Sequence, residues 1–162
     1  MAVFNTKNLE KLKQAADAQA QLPRYSVLIV DDKDSNLSVM AGVLRPHFHL
    51  LEARDGLEAI GMLKDLGDTT TLACIISDYR MPRMGGVELL VEARRIVPLT
   101  SRIIVSGYID VDAVIDSVNL GGICKFIVKP FDSQEFLDAV NFAVEQFQFM
   151  TNAQARQPDA GK

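Results

Sequence analysis

Val27-Leu-Ile-Val-Asp-Asp32 sets a short apolar, β-branched run directly against two carboxylates. A run this short, with no polar alternation, is the pattern of a strand covered on both faces. Working outward, runs of the same kind recur over 48–53, 72–77, 102–106 and 124–128. Between them, apolar residues fall at helical spacing over 35–44, 57–66, 87–96, 111–120 and 133–150. This strand–helix alternation predicts an α/β fold, a doubly wound parallel sheet of five strands with helices on both faces. Several edges carry their own chemistry: Pro46 and Pro98 stop helices, Asp55-Gly56 marks a turn, and Asp132 is placed to cap the last helix with Glu135 completing a variant of the capping box.

The chain of 162 residues is of single-domain size, and 48% hydrophobic with 23% charged residues excludes a disordered or fibrous class. A net charge of −4 argues against direct binding to nucleic acid or anionic lipid. The apolar runs are far shorter than the roughly 18 residues of a membrane span. Residues 1–24 are too polar for the apolar centre of a secretory signal, so a cytoplasmic location is expected. They are assigned to an N-terminal extension in which Leu9, Leu12, Ala16 and Ala20 predict an amphipathic helix. The domain proper is assigned to 25–150, and 151–162 to a flexible tail or linker. Cys74 and Cys124 lie inside apolar runs, where a free thiol behaves as a small hydrophobe.

An open sheet of this kind places its ligand crevice at the carboxyl ends of the strands. The residues that follow the strands are therefore the candidates: Asp31 and Asp32 after the first, Asp78 after the third, Ser106 after the fourth and Lys129 after the fifth. Each alone is as well explained as a cap or turn residue. Together they make a cluster of carboxylates that repel one another and favour a divalent cation. Hard oxygen donors select Mg2+, which keeps room for water or a phosphoryl oxygen. Lys129 adds a positive charge and Ser106 a hydroxyl, both suited to phosphoryl oxygens, and an ionised Asp is a nucleophile without help from a base.

The strings Val27–Asp32, Ile75-Ile-Ser-Asp-Tyr-Arg-Met-Pro-Arg-Met-Gly-Gly86, Ile103-Ile-Val-Ser-Gly107 and Lys125-Phe-Ile-Val-Lys-Pro130 closely resemble the receiver domains of two-component response regulators. The resemblance spans about residues 25 to 148. It implies a flavodoxin-like sheet of order 2-1-3-4-5, with Asp78 as phosphoacceptor. It implies Mg2+ ligated directly by Asp32, more through water by Asp31, by Asp78 itself and by the main-chain carbonyl of Arg80. Lys129, followed by a cis bond to Pro130, would bridge to the acceptor or its phosphate. Ser106 and Phe126 would form the switch pair, and Arg80 and Tyr108 occupy positions that influence the lifetime of the phosphorylated state. The implied partners are a histidine kinase or histidine phosphotransfer protein and a downstream protein or attached output domain. The domain is not expected to be an enzyme beyond assisting its own phosphotransfer and autodephosphorylation. Gly85 stands where the family more often has an acidic residue, and Phe126 lacks the hydroxyl of the commoner tyrosine.

The helix expected over 133–150 carries a core stripe of Phe136, Leu137, Val140, Val144 and Phe147, and also Phe142, Phe149 and Met150. This excess, with the helix over 111–120, predicts a surface that docks a partner or a second copy, or else packs beneath the N-terminal segment. His47 and His49 flank Phe48 and are read as exposed edge-strand residues. Two rival functions remain open on the sequence: a phosphorylation-independent scaffold that keeps the same residues, and a haloacid-dehalogenase-like phosphatase with Asp32 as nucleophile and Ser106 and Lys129 as later motifs.

Overall fold

The computed structural model describes residues 6–20, 25–107 and 110–157, with side chains of 15–20 outside that description. Tyr108 and the termini at 1–5 and 158–162 lie outside it. The elements run α1 (Thr6–Ala20), β1 (Ser26–Val30), α2 (Asp34–Leu44), β2 (His49–Ala53), α3 (Gly56–Asp65), β3 (Leu72–Asp78), α4 (Gly86–Ile96), β4 (Ser101–Ser106), α5 (Val111–Asn119), β5 (Lys125–Val128) and α6 (Ser133–Arg156). The sheet has five strands in the order β2-β1-β3-β4-β5, and each neighbouring pair is parallel.

Alternation along β1 explains the double winding. Val27 and Ile29 join the core cluster with Leu37, Met40, Val140 and Phe147 of α2 and α6, whereas Leu28 and Val30 join Ala59, Leu63, Leu89 and Ala93 of α3 and α4. Successive strand side chains point to opposite faces, so a run apolar at every position needs cover on both. Cys74 is fully buried and Cys124 half-buried, both as free thiols, and burial pushes both up from the ordinary thiol range. Phe48 is buried just ahead of β2, while His47 and His49 are exposed as expected.

The Asp132 cap is present, without the return bond expected from the Glu135 side chain, and the full capping box forms instead at α3. Asp132 accepts from the amides of Gln134 and Glu135 at 3.1 Å each. Asp55, read from the sequence as a turn residue, is the N-cap of α3 and accepts from Glu58 N at 2.8 Å, while the Glu58 carboxylate reaches back to Arg54 N at 2.9 Å.

One difference from the sequence reading concerns the C-terminal end. α6 does not stop at 150 but continues to Arg156. Ala, Gln and Arg are good helix formers, so this stretch stays helical, and the Thr151 hydroxyl is accommodated by bonding back to the carbonyls of Phe147 and Gln148 at 2.9 and 3.0 Å. α1 is helical as predicted, with Leu9 and Leu12 exposed at 49% and 67%. Phe142, Phe149 and Met150 are exposed as well, at 38%, 69% and 48%.

Candidate functional site

The order β2-β1-β3 means that the chain winds one way from β1 to β2 and the other way from β1 to β3. The crevice above β1 and β3 is thus the switch point of the sheet, where ligands of such folds bind. Asp31 and Asp32 leave β1 there and Asp78 ends β3. One carboxylate oxygen from each of the three lies within 4.8 Å of the others. The adjoining cavity, of about 430 Å³, is lined by Asp32, Asp78, Arg80, Ser106, Gly107 and Lys129 among others. Asp31, Asp32, Asp78, Arg80, Ser106 and Lys129 are therefore brought to one rim.

Asp31 is fully buried, and each of its oxygens is occupied. Oδ1 accepts from Lys33 N at 2.9 Å and from Asn36 Nδ2 at 3.2 Å, at the start of α2 where the helix dipole favours a negative charge. Oδ2 accepts from Lys129 Nζ at 2.9 Å. The same ammonium reaches Asp78 Oδ1 at 3.3 Å. Lys129 thus bridges the two carboxylates and holds the shorter bond to Asp31. Its backbone is fixed by Lys129 N donating to Ser106 O at 2.9 Å, and the Lys129–Pro130 bond is cis. Asp32 is exposed, open to an incoming cation.

The charges are set against one another. Burial raises the Asp78 carboxyl above its ordinary range; Lys129 pulls it back, and the charges of Asp31 and Asp32 push it up again. Burial opposes the Lys129 ammonium, but its bonds to Asp31 and Asp78 and their charges outweigh this and hold its pKa above the ordinary value. Carboxylates kept close against their mutual repulsion, all with hard oxygen donors, fit Mg2+.

Sequence reasoning missed Asn36, Lys33 and the loop that carries Arg80. Asn36 sits one turn into α2, where a carboxylate at the preceding strand end needs a donor. In the loop, Gly86 N donates to Tyr79 O at 2.9 Å, and Met84 N to Pro82 O at 2.8 Å. The second bond closes a three-residue turn about Arg83, which takes φ 67°. A Cβ at Gly86 would overlap the Asp78 carbonyl oxygen, which explains a glycine eight residues after Asp78. Phe126 is half-buried and packs on the core cluster of α3 and α4. Ser106 is 2% exposed at the end of β4.

Comparison with known proteins agrees with this geometry. The family model described as "Response regulator receiver domain" matches residues 27–141. The hydrogenase transcriptional regulatory protein HoxA of Cupriavidus necator is 35% identical over 74% of this chain and 24% of its own length. The chain thus spans about a quarter of that relative. Among solved structures, the signal receiver domain of an HD domain-containing protein from Pseudomonas fluorescens Pf-5 is 30% identical with TM-score 0.72, covering 78% of this chain and 98% of that one. The beryllofluoride-activated NtrC4 receiver domain dimer is 28% identical with TM-score 0.68, covering 75% and 98%.

Proposed function

This chain belongs to the response regulator receiver family of two-component signalling, and from that premise we propose that Asp78 accepts a phosphoryl group from a phosphohistidine on a kinase or phosphotransfer protein. The observation that carries this reading is the Lys129 ammonium shared between Asp31 and Asp78 beside an open Asp32. An oxygen of ionised Asp78 attacks phosphorus, the O–P bond forms as the N–P bond breaks, and the electron pair leaves with the imidazole, which takes up a proton. Asp31, Asp32, Asp78 and the Arg80 carbonyl are the groups that would hold Mg2+. The cation supplies charge neutralisation and a contact for a phosphoryl oxygen. Lys129 and the Ser106 hydroxyl donate to the remaining phosphoryl oxygens.

The new phosphate contacts then favour one arrangement of the β4–α5 loop, and Phe126 repacks behind Ser106. The output surface is the α5–β5–α6 face, where Val111, Ile115, Val118, Leu120, Val128 and Phe142 are exposed. It serves a second copy, an attached output domain or a downstream protein. No helix among the described residues is long and apolar enough to cross a membrane.

The test is incubation with acetyl phosphate and Mg2+, read as the mass of the intact protein. Addition of one phosphoryl group that disappears in Asp78→Asn is expected. Absence of any adduct would mean a scaffold that does not use phosphorylation. Release of inorganic phosphate that depends on Asp32 and survives Asp78→Asn would mean a phosphatase.

A further inference from the structure

We infer that Asp55 and Arg83 act as a clamp that sets the Arg80 main chain against the acidic cluster, making both positioning residues for cation binding. The inference rests on the reading above that the Arg80 carbonyl faces the cation.

The loop from Tyr79 to Gly86 reaches the site through Arg80, which lines the acidic cavity. Its base is closed by Gly86 N donating to Tyr79 O at 2.9 Å. Its apex is the turn about Arg83, closed by Met84 N to Pro82 O at 2.8 Å. A non-glycine residue at φ 67° in a three-residue turn is strained, and such a conformation persists only where its surroundings over-determine it. The surroundings here come from the start of α3. The Arg83 guanidinium pairs with Asp55 Oδ2, while Asp55 Oδ1 is held by Glu58 N at 2.8 Å. One carboxylate therefore caps α3 and anchors the loop, and the cap fixes where the anchor points. The adjacent contact is equally specific. A Cβ at Gly56 would meet three Met84 side-chain atoms at 2.8 to 2.9 Å, so Met84 lies directly over the helix start.

An ion pair whose arginine side chain is 62% exposed contributes little to global stability. What it does contribute is a choice of conformation for Arg83, three residues from the carbonyl that would face the cation. Metal sites depend strongly on such outer contacts. The sign of the effect separates positioning from simple electrostatics. By charge alone, removing Arg83 would strengthen binding of a cation and removing Asp55 would weaken it. Positioning requires both removals to weaken it.

The experiment is calorimetric titration of MgCl2 into the metal-free protein, compared across Asp55→Asn, Arg83→Ala, their double variant, Arg83→Lys and Asp32→Asn. Thermal melts of each without metal accompany the titration. Asn is a good helix cap, so Asp55→Asn keeps α3 while losing the charge. Expected is binding about tenfold weaker in each clamp variant, the lower end of what loss of an outer contact costs a metal site. The double variant should bind no worse than either single one, Arg83→Lys should recover part of the loss, and the melts should stay close to wild type. Opposite signs for the two single variants, or unchanged affinity in both, overturns the clamp. Failure of the wild-type protein to bind Mg2+, or full binding by Asp32→Asn, overturns instead the cation site on which the clamp depends.

Discussion

Replacing Lys129 by Met keeps much of the aliphatic stem while deleting the ammonium that spans Asp31 Oδ2 at 2.9 Å and Asp78 Oδ1 at 3.3 Å. At an effective dielectric near 20, each contact corresponds to about 5 kcal/mol of attraction before desolvation is subtracted. Loss of one partner from a fully buried pair costs about 3–5 kcal/mol net. The lysine side chain is still 19% exposed, and screening there reduces the cost to about 2–3 kcal/mol. For a domain of this size that is a fall in Tm of about 6–15 °C in EDTA at neutral pH. Mg2+ should narrow the gap. The ammonium and the divalent cation draw on the same carboxylates, so the variant binds Mg2+ more tightly, and a tenfold gain adds about 1.4 kcal/mol of stabilisation at saturation. Circular dichroism melts in EDTA and in saturating MgCl2 read both effects. Equal Tm values in EDTA, or a gap that widens with Mg2+, would refute the view that Lys129 stands in for the cation in the metal-free site.

Asp78→Asn should stabilise the metal-free protein, with a pH dependence whose sign follows from the raised carboxyl. The native state keeps its proton over a window in which the unfolded chain has lost it, so wild-type stability falls as pH rises from the ordinary carboxyl value of 3.8 through the raised native one. The advantage of Asn is absent below that window and constant above it; denaturant melts in EDTA at acid and neutral pH check this, and a pH-independent difference would contradict it. Gly86→Ala drives a methyl into the Asp78 carbonyl and to 3.0 Å from Ile104 Cδ1, and should cost about 2–3 kcal/mol and the phosphoryl adduct with it. Gly85→Ala, whose Cβ would meet only Tyr79 O at 3.5 Å, should melt within a few degrees of wild type.

The sheet was legible because its central strands β1 and β3 are apolar at nearly every position up to the polar residues that end them. Burial on both faces leaves that mark directly in the residues, as Val27–Val30 and Leu72–Ser77 do. The chemistry of the rim was legible for the same reason, since the fold lines up strand ends whatever the helices between them do. The hidden features depend on pairs distant in sequence. The shorter bond of Lys129 to Asp31, 98 residues away, is decided by how the Lys33 and Asn36 donors pin Asp31. The pairing of Arg83 with Asp55 spans 28 residues, and nothing in either local string calls for it. The far end of α6 was missed for a local reason. Thr151–Arg156 adds no buried residue to the core, so only helix propensity argues for its helix.

The position of Lys129 also bears on how a signal would leave the site. Its amide is bonded to Ser106 O and its side chain to the carboxylates of Asp31 and Asp78, so the end of β5 is tied to β4 and to the end of β3 at once. β5 is a four-residue edge strand in which Lys125 and Val128 are exposed and Phe126 and Ile127 half-buried. At its other end the Lys125 ammonium lies 4.7 Å from the centre of the Phe142 ring of α6. In the proposed mechanism a phosphoryl group on Asp78 would compete with Asp31 for the Lys129 ammonium, and a shift of Lys129 would be passed to this short, half-buried strand. In the proposed switch, Phe126 is a half-buried ring that leaves its packing against the core cluster of α3 and α4. A population shift of the exposed α5–β5–α6 face then needs no more than the differential contacts that one phosphate makes with Lys129 and Ser106.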